Sequence, residues 1–478
     1  MAGSATAPGG DGWSSRTAFI LAAVGAAVGL GNIWRFPTLA GENGGGAFVL
    51  VYIGCVVLIG LPMLLSEIML GRAGDRHMNA AGSVGDVAEK SGRSRGWGLF
   101  GGMEIVAAFL ILSFYSVVAG WVLHYVLLSA SDFFSSLAAG SPFGGAFAGQ
   151  SQDAVVGIMG SLFESPWRMG IMHLVFMVLT AAIVAVGVGD GIEKAASWLM
   201  PGFFFLLIAI TIYGAFTGEF GEALAFLFTP DFSKLTPVSM NEALGQALFS
   251  LSLGSAAMLT YGSYVGRDVK LAPTAAMIAA CDTGVAILAG LMIFPIVFSA
   301  GLDASAGPAL IFQSLPVAFQ QMPAGSLIGL AFFVLIFFAA LTSSISLLEG
   351  PVAWTIETTG LARPVATVIV AMLAFVIGLA CVLGYGVWSD VRLLGFWGIF
   401  AETDILDTID GFTGKVMLPL SAFGLSLFVG WRANRQLIEA ESGLTGAGFG
   451  IWRSLVAWVA PVAVGLILLF GLFPGLLA

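Results

Sequence analysis

Gly25-Ala-Ala-Val-Gly-Leu-Gly-Asn-Ile-Trp-Arg-Phe-Pro37 and Gly245-Gln-Ala-Leu-Phe-Ser-Leu-Ser-Leu-Gly254 decide how this chain is read. Each stretch lies in an apolar run long enough to cross a bilayer, and each puts Gly, Ser or Asn where the run should reach mid-depth. A helix in lipid must pair every backbone group internally and gains nothing from such residues. A helix that opens there, baring carbonyls and amides to an ion and a solute, needs them. Broken helices at matching positions of two halves point to the binding site of a secondary transporter.

The composition outside these stretches agrees. Of 478 residues, 58% are hydrophobic and 10% charged, with a mean hydropathy of +0.98. A soluble globular chain has about 25% charged residues, so a polytopic all-α membrane protein is expected and a soluble one excluded. The 38 Phe and 12 Trp suit lipid-facing and interfacial positions. The 65 Gly suit close helix packing and local unwinding. Cys55, Cys281 and Cys381 each sit inside an apolar run and read as small buried hydrophobes, with no disulfide, metal or redox role. His77, His124 and His173 are scattered, which argues against a histidine metal site. Most acids lie in loops, so the net charge of −10 says little about partners. Residues 1–12 lack the basic region and apolar core of a signal peptide and read as a flexible cytoplasmic tail.

Windows of about 20 apolar residues give about eleven spans, at 14–41, 46–71, 99–130, 168–187, 192–215, 241–266, 273–300, 326–357, 365–384, 402–431 and 452–475. The loop after span two holds Arg72, Arg76, Lys90, Arg93 and Arg95. Those after spans four, six, eight and ten hold Lys194, Arg267, Lys270, Arg363, Arg432 and Arg435, whereas the long opposite loop at 131–167 has no Lys or Arg. By the excess of basic residues on the cytoplasmic side, the N-terminus is cytoplasmic and the C-terminus outside. The apolar, Gly/Pro-broken loop at 301–324 falls outside and reads equally as a short helical lid or a passive connector. Spans one to five (13–215) and six to ten (241–435) read as two inverted halves, with 216–240 an extracellular connector and 436–478 holding span eleven.

Arg35, Glu42, Glu67, Glu104, Asp282 and Glu349 lie in or near spans. A charge at membrane depth costs a few kcal/mol, so each is a functional candidate. Glu67 and Glu104 have a plain alternative, that of satisfying freed backbone amides or pairing with cytoplasmic bases. Asp282 has no basic neighbour within a helical turn, and a buried carboxylate of that kind commonly holds a cation or a proton. Sodium, a hard cation, prefers oxygen ligands. The first break offers carbonyls near Gly25, Ala27 and Val28 and the side-chain oxygen of Asn32; the second offers the carbonyl and hydroxyl of Ser250. Span eight adds Thr342 and Ser343, although such hydroxyls also bond back to their own helix. The amides at Leu30 and Gly31 begin a half-helix whose positive end attracts a carboxylate. Tyr115 is one of few phenols within the spans.

With these residues in view, the chain resembles the neurotransmitter:sodium symporters, which have the LeuT fold. The likeness rests on GLGNIWRFP and ENGGGAF in 29–48, GxPxxxxExxxGR at Gly60–Arg72, GQALFSLSLG at 245–254, Tyr261-Gly-Ser-Tyr264 and LTSSIS at 341–346. It covers essentially the whole chain, and eleven spans are common among bacterial members. The resemblance implies two sodium ions as coupling ions, an amino-acid substrate, a bacterial inner-membrane location, no organic cofactor, no nucleic acid, no obligate protein partner and no enzymatic activity. One sodium site would use Ala27, Asn32, Ser250, Asp282 and the substrate carboxylate. The other would use Gly25, Val28, Ala339, Thr342 and Ser343. The substrate carboxylate would meet the Leu30 and Gly31 amides and Tyr115. Its amine would meet the carbonyls of Ala27, Phe249 and Ser250 and the Ser252 hydroxyl. Its side chain would lie among Ala26, Ile111, Val118, Phe249, Ser255, Met258 and Leu347, beside Ser343. Arg35 and Asp410, capped by Phe249, would form an outer gate, and Gly191 with Pro201 would let span five unwind on the cytoplasmic side.

The departures sharpen the expectation. Gly29 stands where monoamine carriers have Asp, which implies a solute bringing its own carboxylate. Ser255 replaces a bulky aromatic of the leucine-carrying relative, which points to large aliphatic or aromatic side chains. Chloride-dependent relatives have a Ser where this chain has Ala286, and an Asn where it has Asp282. A fixed carboxylate can supply the charge that chloride supplies elsewhere, so chloride independence is expected, although Tyr52, Gln246 and Ser250 of the chloride site are present. The basic residue expected just before Trp13 is absent, with Gly10, Asp11 and Gly12 there instead. Glu357 stands at its acidic partner's position, and Arg16 is the candidate replacement. The rival readings are a proton-coupled amino-acid transporter of the same fold and a sodium symporter for small aliphatic amino acids.

Overall fold

With no water at membrane depth, long apolar runs satisfy their backbones as helices, and the described residues of this computed structural model contain no strand. The structure describes residues 12–74, 77–141, 143–303 and 310–476. The expected tail up to Asp11, Arg76 of the basic loop, and residues 304–309 of the expected lid lie outside the described residues.

Among the described residues, nine helices are long and apolar enough to cross a membrane, and ten if Arg16–Ala27 and Gly31–Glu42 count as one span bent by 51°. The remaining expected span, 241–266, is in two pieces, Pro237–Ser250 and Ala257–Ser263. Neither alone reaches the roughly 20 residues that a crossing needs, so the expected eleven are reached only when both broken runs are counted. The long third and eighth spans, Arg95–Ala138 and Gly325–Thr359, pack on each other more extensively than any other described pair and form the wall facing the breaks.

The first break is short. Val28 leaves the helix with extended backbone (φ −75°, ψ 106°), and a wide π-helical turn begins at Gly31. The second is more contorted, because Ser252, Gly254 and Ala256 all have φ between 54° and 77°. Left-handed backbone at a residue with a Cβ costs about 1–3 kcal/mol and persists only where the surroundings enforce it. Two buried carboxylates enforce it here. The Gly254 amide donates to Glu67 Oε1 at 2.9 Å, and the Ala256 amide donates to Glu104 Oε2 at 3.1 Å. Of the two readings open for these acids, the structure shows the capping of freed amides. Glu104→Ala leaves the Ala256 amide without its acceptor, which costs about 1–3 kcal/mol for a buried group. The variant is expected to melt several degrees lower in detergent, with Glu104→Gln, which keeps an acceptor oxygen, in between. An Ala variant that melts with the parent protein counts against this cap.

The Glu-Asn-Gly-Gly-Gly stretch is a structural turn between spans one and two. Gly44 and Gly45 have φ of 81° and 70°, and a Cβ on Gly45 would collide with the Phe226 carbonyl. Asn43 Nδ2 also donates to Glu242 Oε2 at 2.7 Å. Span one is thereby tied to residues 216–242, which contain the helix Phe220–Phe228.

The expected loop at 131–167 is partly helical, since span three continues to Ala138 and Gln152–Phe163 forms a further helix. Ala80–Lys90 is likewise an amphipathic helix, capped by Asn79. Windows of membrane length pass over such short or half-polar pieces. Span eleven starts at Gly446 rather than 452, because Gly446, Gly448, Gly450 and Arg453 dilute its first turns. In the 301–324 loop, Leu315–Gln321 is a helix whose Leu315 and Phe319 are fully buried, and Tyr125 Oη donates to the Phe312 carbonyl at 2.7 Å.

Candidate functional site

The two breaks face each other. The Ser252 hydroxyl, in the second, donates to the Ala26 carbonyl, at the end of the first inner half-helix, at 2.8 Å. Gln246 Nε2 donates to the Gly31 carbonyl at 2.8 Å. Polar groups thus join the two interrupted runs at the depth where both lose their helical pairing.

Asp282, fully buried on span seven (Leu271–Ser299), closes one cluster. Its Oδ1 accepts from Asn32 Nδ2 at 2.7 Å and its Oδ2 from the Ser250 hydroxyl at 2.7 Å. Tyr52 Oη lies 3.4 Å from Ser250 Oγ, and no basic side chain within ion-pair distance of Asp282 is found among the described residues. Asn32, expected to offer its oxygen to an ion, instead turns its amide nitrogen to Asp282 while Oδ1 accepts from the Gly29 amide at 3.1 Å. The nitrogen is the group that satisfies a carboxylate, and half a turn of the amide exchanges the two atoms.

A second cluster lies against span eight. Ser343 Oγ is 3.4, 3.5 and 3.3 Å from the carbonyl oxygens of Gly25, Ala26 and Val28. Thr342 shows the alternative reading, for its hydroxyl donates back to Phe338 and Ala339 at 3.0 and 3.1 Å. Gly25 makes this approach possible, since a Cβ there would lie 3.1 Å from both Thr342 Cβ and Met200 Sδ. The oxygens are those a hard monovalent ion would take: carbonyls, hydroxyls and one carboxylate. Among the described residues no three His, Cys, Asp or Glu side chains converge as a metal site.

Between the clusters is a cavity of about 40 Å³. Of the expected substrate residues, Ala26, Ala27, Leu30, Gly31, Ile111, Tyr115, Phe249, Ser252, Ser255, Ser343 and Leu347 line it. The Tyr115 hydroxyl faces Ser343 and the Leu30 backbone, buried and with no well-formed hydrogen bond of its own. Ser255 turns its hydroxyl to the Ser252 carbonyl at 2.6 Å, presenting a small wall. Three expected residues are placed elsewhere. Ser250 belongs to the Asp282 cluster. Met258 lies beyond the left-handed turn at Ala256 that redirects the chain, and Val118 is almost a turn past Tyr115; both are buried but off the cavity wall. Gly29, Leu253 and Leu418 complete the lining. Leu418 begins a helical segment after a π-turn in span ten, and no motif marked it.

The cavity is covered on both sides. Above Gly31 lies the Phe249 ring, with Arg35 stacked over it at 4.8 Å. Asp410 and Glu242 are the acids within electrostatic reach of Arg35, yet Arg35 and Asp410 form no direct ion pair in this closed arrangement. On the other side, the Trp13 indole donates to the Tyr261 carbonyl at 3.0 Å and packs edge-on against Tyr261 and Tyr264. Arg16 Nε donates to Thr274 Oγ1 at 3.0 Å, and no ion pair joins Arg16 to Glu357 in this arrangement. Glu357 instead accepts from the Met78 amide at 2.5 Å and from Asn79, beside His77. Glu193 takes the Ser14 amide at 2.9 Å and the Ser14 hydroxyl. Gly191 sits in the wide turn Val188–Glu193, and Pro201 lies inside Lys194–Thr217. Glu349 is accounted for by Arg363, at 2.8 and 3.0 Å, and by Tyr264 Oη at 2.6 Å.

Comparison with known proteins bears on the family and the fold. The model of the sodium:neurotransmitter symporter family matches residues 10–138 and 157–400. An uncharacterized sodium-dependent transporter of Bacillus subtilis, YhdH, is 36% identical over 96% of both chains. One of Haemophilus influenzae is 34% identical over 96% of this chain and 98% of its own. The crystal structure of MhsT in complex with L-phenylalanine superposes with a TM-score of 0.84 at 39% identity, covering 96% of this chain and 99% of MhsT.

Proposed function

The chain belongs to the sodium:neurotransmitter symporter family, a family of multi-pass membrane transporters with the LeuT fold, and from that premise we propose that it imports an apolar L-amino acid together with sodium, independently of chloride. The observation that carries this reading is the pair of oxygen clusters flanking one small cavity, with the unsatisfied Tyr115 hydroxyl and the Leu30 and Gly31 backbone at its wall.

The two ions travel as cargo. One is taken by Asp282, Ser250, Ala27 and Asn32 once its amide turns, the other by Gly25, Val28, Ala339, Thr342 and Ser343. The substrate carboxylate accepts from Tyr115 and the half-helix amides and completes the first ion's shell. Ion and solute then raise each other's affinity by the same factor. At about −100 mV inside, each sodium ion entering adds about 2.3 kcal/mol of driving force. The fixed charge of Asp282 beside Tyr52, Gln246 and Ser250 makes an added anion unnecessary. Phe249 with Arg35 and Asp410 closes the outer side, and Trp13 with Tyr261 the inner, where Gly191 and Pro201 ease the unwinding of span five.

The apolar wall favours large aliphatic or aromatic side chains, and MhsT, crystallised with L-phenylalanine, supports that class. A symporter for small aliphatic amino acids has one observation in its favour, the closed volume of about 40 Å³. Proteoliposomes loaded with K⁺ are expected to accumulate a labelled apolar amino acid only under an inward sodium gradient, with and without chloride. Equal uptake with choline outside sinks the proposal, and competition by the twenty amino acids decides between the two substrate classes.

A further inference from the structure

A second and larger cavity, of about 340 Å³, lies where span ten ends and span eleven begins. Trp431, Arg435, Phe449, Arg453, Ser454 and Trp458 form most of its wall. None of these lines the transport cavity, and they share the face of the molecule that carries the basic loops.

Its charge is unbalanced. Arg453 stands two turns inside the apolar helix that starts at Gly446. Its Nε donates to the Gly430 carbonyl at 3.2 Å. No carboxylate lies within ion-pair distance of it among the described residues. Arg435 has only Glu439, a helical turn away at 3.8 Å, and its guanidinium rests over the Phe449 ring. The nearby Glu441 is already taken by Arg72 and Arg267. The two cavity guanidiniums therefore face each other's field, and Arg432, next in sequence to the lining residue Trp431, takes the Arg93 Nε on its carbonyl at 3.4 Å. An arginine near the start of a span, with no acid to pair with, suits the headgroup level, to which long basic side chains reach. A pair of planar forks separated by a cavity matches the oxygens of a phosphate.

The rest of the wall indicates which phosphate. The Trp431 indole is fixed by donating to the Ala457 carbonyl at 2.8 Å, and Trp458 packs edge-on against it at 4.3 Å. Both rings remain exposed, Trp458 at 61%, and Ile451 and Val462 continue an apolar surface along the same helix. A free phosphate gains nothing from exposed tryptophan. A lipid does, since indole rings settle at the headgroup level and basic pockets between spans on the cytoplasmic side take anionic headgroups. We propose that this cavity binds an anionic glycerophospholipid, its phosphate between Arg435 and Arg453 and its glycerol and first methylenes against Trp431 and Trp458.

The purified full-length protein is titrated with phosphatidylglycerol or phosphatidylcholine in detergent, and bound lipid is read by native mass spectrometry alongside the melting temperature. Phosphatidylglycerol is expected to stay bound and raise the melting temperature where phosphatidylcholine does not. Arg435→Gln and Arg453→Gln are each expected to weaken phosphatidylglycerol binding about tenfold, the loss of one charge-assisted contact. Arg435 is exposed, so its variant folds even where Arg453→Gln does not. Equal binding of the two lipids, or an Arg435→Gln variant that keeps phosphatidylglycerol unchanged, overturns the proposal. Inorganic phosphate that displaces the lipid at equal concentration overturns the lipid assignment in favour of a soluble anion.

Discussion

Sodium-driven uptake by an Asp282→Asn variant is expected to fall at least about tenfold in chloride-free medium and to recover in part when chloride is supplied. Asp282 holds two buried groups, Asn32 Nδ2 and the Ser250 hydroxyl, each at 2.7 Å. Hydrogen bonds to a charged group contribute about 1.5–3 kcal/mol each, and 1.4 kcal/mol is already a factor of ten. An Asn side chain keeps the shape and loses the charge. What remains around it, Tyr52 and Ser250, can donate to an anion, but Ala286 lacks the hydroxyl that chloride-dependent relatives carry there, so the recovery is partial. Uptake in sodium gluconate and in sodium chloride, compared with the parent protein, reads both parts. Unchanged activity in both salts removes the charge from the mechanism.

The second large effect belongs to a residue with no side chain. A Cβ at position 29 would lie 2.5 Å from Ser343 Oγ, 3.3 Å from Ser343 Cβ and 3.2 Å from Tyr115 Oη. Gly29→Ala therefore pushes the Ser343 hydroxyl off the carbonyls of Gly25, Ala26 and Val28 and crowds the Tyr115 hydroxyl. Overpacking of this kind costs about 1–3 kcal/mol, which is about fivefold to 150-fold in affinity. The loss falls on the ion and the solute together, since one methyl disturbs both. Sodium-dependent binding of a labelled amino acid to the purified variant is the measurement, with the melting temperature as a check on folding. Parent-like affinity at either ligand shows that Ser343 is not where the second ion sits.

Both breaks were legible because mid-membrane Gly, Ser and Asn have no other use in a lipid-facing helix. The oxygen clusters were legible for the same reason: Asp282 had no nearby base, and Ser343 lay in a polar run. What closes the second break was not legible. Glu67 and Glu104 lie 187 and 152 residues from the amides they accept, and nothing local distinguishes a capping carboxylate from an ion ligand. Leu253 and Leu418 reach the cavity through a left-handed turn and a π-turn, shapes that apolar side chains do not announce. Asn32 shows a further limit, because residue type names both an oxygen and a nitrogen, and only the neighbours decide which faces the carboxylate. The inner side failed differently. Arg16 was the nearest base to the missing one, but span seven offered it a hydroxyl first.

The grip of Glu193 on Ser14 has a mechanical consequence. Ser14 is the last residue but one before the first helix, and Glu193 is the last residue of the wide turn that opens span five. The start of one rod is thus pinned to the slackest link of another. Swinging the inner half of span one outward must either break that pin or draw out Val188–Glu193, where Gly189 and Gly191 resist least. On the proposed transport cycle, water reaching the cavity from that side is expected to enter through two yielding pieces, and release to slow when the six-residue turn Val188–Glu193 is stiffened.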